Sequence, residues 1–200
     1  MEQLISKKEF SQWMRIEGEV RGIAFKSGMV PFIKEVGKGG IQRMEKVITE
    51  LGYPINFDAI KPMAFYPLGL MAVSLLALQR LFDFEKQDFI EMGAIAAKSP
   101  LIVRLYLKYF GSLERVVDEV QKMHQKYFTI GNVEVVEINK EKRYVIIRRE
   151  NFFLHPLHCY ISQGFYPSVL QMVLKDKVSC EVTKCPYHKG DDYHEFVCRW

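Results

Sequence analysis

The sequence lacks the features that identify most enzymes, membrane proteins and nucleic-acid-binding proteins. Its 200 residues include only four cysteines, no Cys-x-x-Cys pair and no Ser-His-Asp or paired-carboxylate pattern. Neither the phosphate-binding loop nor the dinucleotide-binding fingerprint is present. The longest uncharged run, 63–79, is shorter than the roughly 20 residues that a membrane-crossing helix needs. These absences predict a protein without evident catalysis and without a transmembrane segment.

The composition is that of a folded domain with a large apolar interior. Hydrophobic residues make up 48% of the chain and charged residues 26%, with 14 Phe and 10 Tyr. A chain of this length normally forms one domain, so we expect a single domain over 1–200. The net charge of +4 is small, and Lys and Arg are spread along the chain, which argues against a nucleic-acid partner. The start of the chain shows no secretory pattern, so we expect a cytoplasmic protein whose cysteines are free thiols or metal ligands.

The hydrophobic pattern predicts an α+β fold. Residues 1–127 read as mainly helical, and 128–200 read as β-β-α-β-β, with two hairpins on either side of a helix. Within the first part, the stretch 68–81 is apolar on all sides and should form a central helix. Asp83 is predicted to cap the helix that follows, and 101–109 is predicted to be a further short helix. In the second part, the helix between Pro156 and Leu174 is expected to break at Gly164 or Pro167.

The end of the chain resembles the closing motif of the 4-vinyl reductase-type domain, a predicted hydrocarbon-binding family. That motif has a cysteine, a glycine and a second cysteine followed by x-Phe. Cys185, Gly190 and Phe196 fall on it, whereas one extra residue precedes Gly190 and His194 stands where the second cysteine is usual. The resemblance is specific over some 50 residues at the C-terminus.

The resemblance implies a fold shared with haem nitric-oxide sensor domains and with the small subunits of the TRAPP vesicle-tethering complex. In such relatives, a cavity between the helices and the sheet holds a hydrophobic molecule. We therefore expect a sensor or regulatory domain that binds a small hydrophobic ligand, lipid-like or tetrapyrrole, and that forms a homodimer through its apolar helices. The alternatives are an assembly subunit with a vestigial cavity and an accessory enzyme of tetrapyrrole metabolism.

Zinc-type ligands are grouped near the C-terminus. Cys185 and His194 are the first candidates, and Cys180, Cys198 and His188 are further ones. Their spacing matches no standard zinc template. Alternation along the strands would turn Cys185 away from His194 unless a β-bulge intervenes. The hairpin register is predicted to place Cys180 opposite Cys198 and Val182 opposite Phe196. If a metal binds, we expect zinc.

A second group lies around the start of the last helix. His155 and His158, three residues apart and next to Cys159, could ligate haem iron or zinc. Nothing resembles the Tyr-x-Ser-x-Arg element that holds haem propionates in the nitric-oxide sensors, and the Cys-x-x-Cys-His attachment signal is absent. The sequence therefore predicts that haem is an unlikely cofactor.

The ligand cavity itself is predicted to lie between the central helices and the inner face of the sheet. Val135, Ile146, Val182 and Phe196 are the expected apolar contributors from the sheet. The residues expected around the ligand and the mouth of the cavity are Phe152, His155, His158, Tyr160, Phe165 and Tyr166.

Overall fold

The computed structural model describes residues 4–36, 39–99, 112–188 and 190–200. The N-terminal part is helical, as predicted. Its helices are α1 (Lys7–Met14), a π-helical turn (Phe25–Met29) that continues into α2 (Val30–Val36), α3 (Gly40–Glu50), α4 (Leu68–Phe82), α5 (Lys86–Lys98) and α6 (Leu113–Tyr127). Two short strands, β1 (Glu19–Arg21) and β2 (Phe65–Pro67), pair antiparallel beside them. The predicted helix over 101–109 lies outside the described residues.

Helix α4 is the centre of the helical part. Every residue from Leu68 to Leu78 is buried, including Ser74, whose hydroxyl donates to the Leu70 carbonyl at 2.7 Å. A helix that is apolar on all sides must be covered on all sides, so this prediction is confirmed. The same burial removes most of α4 from the surfaces on which a homodimer could form.

The C-terminal part forms a four-stranded antiparallel sheet in the order β3-β4-β6-β5. Strands β3 (Asn132–Asn139) and β4 (Tyr144–Glu150) form the first hairpin, and β5 (Ser179–Lys184) and β6 (His194–Arg199) form the second. The last helix, α7 (Pro156–Leu174), connects them. Helices followed by a sheet of two hairpins around a helix confirm the predicted α+β class.

The register of the second hairpin agrees with the sequence analysis. Cys180 lies opposite Cys198, and Val182 lies opposite Phe196. A bulge between Val182 and Lys184 shifts the pairing just before Cys185. A one-residue shift reverses the face to which the following side chains point. The bulge thus precedes Cys185, whereas the extra residue that suggested a bulge lies between Cys185 and Gly190.

Three local predictions were wrong. Helix α7 is continuous from Pro156 to Leu174 despite Gly164 and Pro167. Gly164 belongs in the helix because a Cβ there would lie 1.8 Å from the Ile90 carbonyl oxygen of α5, so the crossing of α5 and α7 requires a residue without a side chain.

The other two errors concern a cap and a face of the sheet. Asp83 does not begin α5; it ends α4 in the left-handed conformation (φ 53°), and Glu85 caps α5 together with Asp88. Ile146 faces away from the interior, because alternate residues of β4 are buried and the buried set includes Val145 and Ile147.

Candidate functional site

A cavity of about 170 Å³ lies between the helical part and the sheet. Helices α4, α5, α6 and α7, the π-helical turn and strands β3 and β4 all contribute to its wall. Most of the lining is apolar, and Met29, Met71, Met92 and Met123 supply four flexible thioether side chains. Apolar walls with a few polar groups are typical of sites for small molecules.

The polar groups at this cavity are unusual because several have no partner. The Arg149 Nε, the His158 Nδ1 and the Tyr127 hydroxyl are buried and have no hydrogen-bond partner within the described parts of the chain. Burial lowers the pKa of His158 well below its usual value and raises the pKa of Tyr127 to about 12. Buried polar groups are nearly always hydrogen-bonded in folded proteins, so three unpartnered atoms around one cavity indicate a place for a ligand or ordered water.

Arg149 is the charged group of the cavity. It is only 3% exposed, and its Nη1 donates to the Ser162 hydroxyl at 3.0 Å. The guanidinium also lies 4.4 Å from the centre of the Phe152 ring and 5.6 Å from that of Phe196. Among the residues that the structure describes, no carboxylate forms an ion pair with it. The cavity therefore carries a positive charge that no acidic residue of ranges 4–36, 39–99, 112–188 and 190–200 pairs with.

His124 completes the polar side of the cavity wall. Its Nε2–H donates to the Ile130 carbonyl at 2.9 Å, and its ring stacks on Phe128 at 5.1 Å. Burial, aided by the charge of Arg149, lowers the pKa of His124 to about 4. The ring is therefore neutral at pH 7.

A second group of reactive side chains lies where α7 meets the second hairpin. The Cys159 Sγ lies 3.3 Å from the Cys185 Sγ and 3.4 Å from the His194 Nδ1. Both thiols are fully buried, and His194 is 2% exposed. The exposed His188 brings a ring nitrogen within 4.8 Å of both sulfur atoms. The structure has all four cysteines as free thiols.

The fold on which these two groups lie is found in solved structures. An H-NOX protein from S. oneidensis in the Fe(II)NO ligation state has a TM-score of 0.65 and 11% sequence identity, over 90% of this chain and 98% of that chain. A doubly substituted variant of the Tt H-NOX has a TM-score of 0.63 and 12% identity, over 90% of this chain and 94% of that one. The fold is that of the H-NOX proteins. At these identities the likeness concerns the fold alone.

Two further comparisons complete this finding. The Fe(II) unliganded H-NOX protein from K. algicida has a TM-score of 0.58 and 15% identity, over 90% of this chain and 95% of that chain. No protein-family model and no curated protein matches the sequence. The relation to haem nitric-oxide-binding folds is thus confirmed at the level of the fold, and no helix among the described residues is long and apolar enough to cross a membrane.

The prediction that haem is an unlikely cofactor was wrong. Similar structures include one, with a TM-score of 0.56 and 11% identity over 87% of this chain and 94% of that chain, from work on haem distortion in the H-NOX family. The prediction relied on a short motif, whereas the shape of the cavity comes from distant parts of the chain. Strand β4 reads Val145-x-Ile147-x-Arg149, and the alternation of the strand places these three buried side chains on one face.

The structure places the predicted ligand-binding residues in four different surroundings. His158, Phe165 and Tyr166 line the cavity. Phe152 packs behind it, against Phe128 at 5.0 Å. His155 caps α7, accepting from the Leu157 N–H, and its ring lies 4.4 Å from that of Trp13. Tyr160 stacks on His188 at 5.2 Å, outside the cavity.

The predicted metal ligands also separate. Cys185, His188 and His194 come together around Cys159, whereas Cys180 and Cys198 form their own pair across β5 and β6. Sequence reasoning had assigned Cys159 to the histidines before it and had overlooked Arg149. The alternation of Val145, Ile147 and Arg149 in β4 was the available signal, since residues two apart share a face of a sheet.

Proposed function

We propose that this chain is a ligand-binding sensor domain whose cavity takes a small apolar molecule with an acidic group. The observation that carries the proposal is the buried, unpaired Arg149 at an apolar cavity. We further propose a cytoplasmic location, a single domain over 1–200 and membership of the 4-vinyl reductase-type family, for which the motif at Cys185, Gly190 and Phe196 is the support.

An unpaired guanidinium inside a protein is costly. Removing one charge from water costs several kcal/mol unless an opposite charge and hydrogen bonds compensate. The neutral hydroxyls of Ser162 and Tyr166 and two aromatic rings compensate only in part. A carboxylate on a ligand would complete the pair, and arginine suits it because the planar guanidinium can donate two parallel hydrogen bonds.

The size of the cavity limits the part of the ligand that it encloses. An engineered protein cavity of about 150 Å³ holds a benzene molecule, so about 170 Å³ suits a small ring or a short acyl chain. Each Å² of apolar surface shielded from water contributes roughly 25 cal/mol. The four methionines of the wall can adapt to ligands of different shape.

Haem is a second candidate, favoured by the haem proteins among the fold neighbours. The residues present suit the chemistry of such a group. The His158 Nδ1 would be the nitrogen available to ligate the iron, and the Arg149 guanidinium would pair with a propionate. A bound haem would supply an iron centre for a diatomic gas, and the walls would have to separate to admit a group larger than the present cavity.

A binding series tests the acidic-ligand proposal. The purified protein is titrated calorimetrically with octanoate and, as the uncharged match, with octanol. The difference in affinity gives the contribution of the carboxylate apart from that of the alkyl chain. Octanoate should bind, and the variant Arg149→Met should bind it at least tenfold more weakly. The matched control is Arg148→Met, because Arg148 lies next in the chain on the other face of β4, near Glu134 and Glu195.

The results that contradict the proposal are equally specific. Octanoate binding that is unchanged in Arg149→Met, or equal affinity for octanol and octanoate, would show that an acidic group on the ligand is not recognised. Absorbance titration with hemin, compared between the unmodified chain and His158→Ala, tests the second candidate. Absence of any small ligand would leave the assembly subunit, or an accessory enzyme of tetrapyrrole metabolism, as the remaining alternatives.

A further inference from the structure

We propose that Cys159, Cys185, His188 and His194 bind one zinc ion at the junction between α7 and the second hairpin. This site is separate from the cavity. It combines a thiol from the helix with a thiol and two imidazoles from the hairpin, so it joins two parts of the chain that are distant in sequence.

The distances between the donor atoms already approach those of a metal centre. Two thiolates on one tetrahedral zinc lie about 3.8 Å apart, and a thiolate and an imidazole nitrogen lie about 3.5 Å apart, as follows from the usual bond lengths to zinc. The observed separations are 3.3 Å between Cys159 and Cys185 and 3.4 Å between Cys159 and His194. Two cysteines and two histidines are a frequent ligand set for structural zinc.

The orientation of the His194 ring supports a ligand role. Its Nε2–H donates to the Phe152 carbonyl at 3.0 Å. Because a neutral imidazole carries one proton, this bond leaves the lone pair on Nδ1, the atom that faces Cys159. Histidines that bind zinc commonly donate their other N–H to a carbonyl or carboxylate in this way.

The turn between β5 and β6 holds the remaining ligands in place. The Asp191 carboxylate accepts from the Cys185 backbone N–H at 2.8 Å, which fixes the turn just after β5. His188 stacks on Tyr160 at 5.2 Å, so its ring is supported although it is exposed. An exposed ligand at the edge of a buried site gives the metal a way in.

The charges of the proposed site balance. Each cysteine releases its proton when it binds, so two thiolates neutralise the zinc dication and the two histidines remain neutral. A neutral complex can lie in the interior without the cost of an unpaired charge. Burial raises the pKa of the Cys159 thiol to about 12, and the positive charge of Arg149, which lies opposite His194 on β4, acts against that rise.

The pair Cys180 and Cys198 provides a built-in comparison. These residues face each other across the same hairpin, and Cys198 is as fully buried as Cys159 and Cys185. Neither belongs to the group of Cys159, Cys185 and His188, whose ligand atoms lie within 4.8 Å of one another. His194 joins that group through its Nδ1, which lies 3.4 Å from the Cys159 Sγ. Replacing Cys198 therefore changes a buried thiol of the sheet without removing a proposed ligand.

The test uses the full chain, reduced and stripped of metal, and titrated with Co²⁺ and then Zn²⁺ against a chromophoric chelator. We expect one equivalent of metal, tetrahedral Co²⁺ bands and thiolate-to-cobalt absorbance. Cys159→Ser should weaken binding at least tenfold and reduce the thiolate absorbance by about half, whereas Cys198→Ser should match the unmodified chain. Circular dichroism of each variant checks that it is folded.

The exposed His188 supplies a variant that does not disturb the interior. His188→Gln should fold as the unmodified chain does and should also bind metal at least tenfold more weakly. The proposal is overturned if the unmodified chain binds no stoichiometric metal, if Cys159→Ser and Cys198→Ser titrate alike, or if His188→Gln retains full affinity.

Discussion

Arg149 and His194 lie directly opposite each other on the neighbouring strands β4 and β6, and both side chains enter the interior. Arg149 reaches the cavity, whereas His194 reaches the thiol of Cys159, which lies beside that of Cys185. The consecutive residues His158 and Cys159 of α7 follow the same pattern: His158 lines the cavity, and Cys159 contacts Cys185. The candidate ligand site and the candidate metal site are therefore built on the same strand pair and the same helix.

The first prediction concerns the energetic cost of Arg149. In the ligand-free chain, Arg149→Met should leave the free energy of unfolding unchanged or raise it by up to about 3 kcal/mol, because an apolar side chain of similar size removes an uncompensated buried charge. Urea denaturation of the variant, beside Arg148→Met, measures this. A loss of more than about 2 kcal/mol would show that the contacts to Ser162 and Phe152 outweigh the cost of burial.

The second prediction concerns acid sensitivity and His124. Its folded-state pKa of about 4 lies below the unfolded value of 6.5, so its contribution to stability is present above pH 6.5 and is lost as the pH falls towards 4. Between pH 7 and pH 5 this amounts to about 2 kcal/mol. Other buried histidines, such as His155 with a pKa of about 4, add to the same trend.

Replacement of His124 measures its contribution to the loss of stability in acid. His124→Gln keeps a donor for the Ile130 carbonyl and removes the titrating ring. Denaturation at pH 7 and pH 5 should show a smaller loss of stability in the variant than in the unmodified chain. An identical loss in both proteins would assign the acid sensitivity to other groups.

The third prediction tests the contact between α5 and α7. An Ala in place of Gly within a helix normally adds roughly 0.5–1 kcal/mol of stability. Gly164→Ala should instead destabilise by roughly 3 kcal/mol, since its Cβ would lie 1.8 Å from the Ile90 carbonyl oxygen and the helices would have to separate. Glu91→Ala, at an exposed position of α5, is the control and should change stability little. A stabilised Gly164→Ala variant would contradict the close approach of the two helices.

The fourth prediction is the homodimer, which follows from the resemblance to relatives that pair through helices. Sedimentation at tens of micromolar should give the mass of two chains. The buried residues Leu68–Leu78 are not available for this contact. A single-chain mass at that concentration would end the hypothesis.

Local pattern was enough to predict much of the architecture. Ser112 caps α6 with its hydroxyl, as a serine directly before an amphipathic run does, and the runs rich in Val and Ile formed β3 and β4. Spacing within the second hairpin correctly paired Cys180 with Cys198 and Val182 with Phe196. These features depend on residues close in sequence, so propensity, capping and turn chemistry determine them.

The contents of both candidate sites were decided by the tertiary structure. Alternation in β4 places Val145, Ile147 and Arg149 on one face, but the alternation alone does not say which face is covered by helices. Cys159 meets Cys185 and His194 only because α7 packs along the sheet, and the bulge before Cys185 changes the direction of the following chain. Contacts between residues 26 and 35 positions apart arise from the packing of whole elements, which short-range periodicity does not encode.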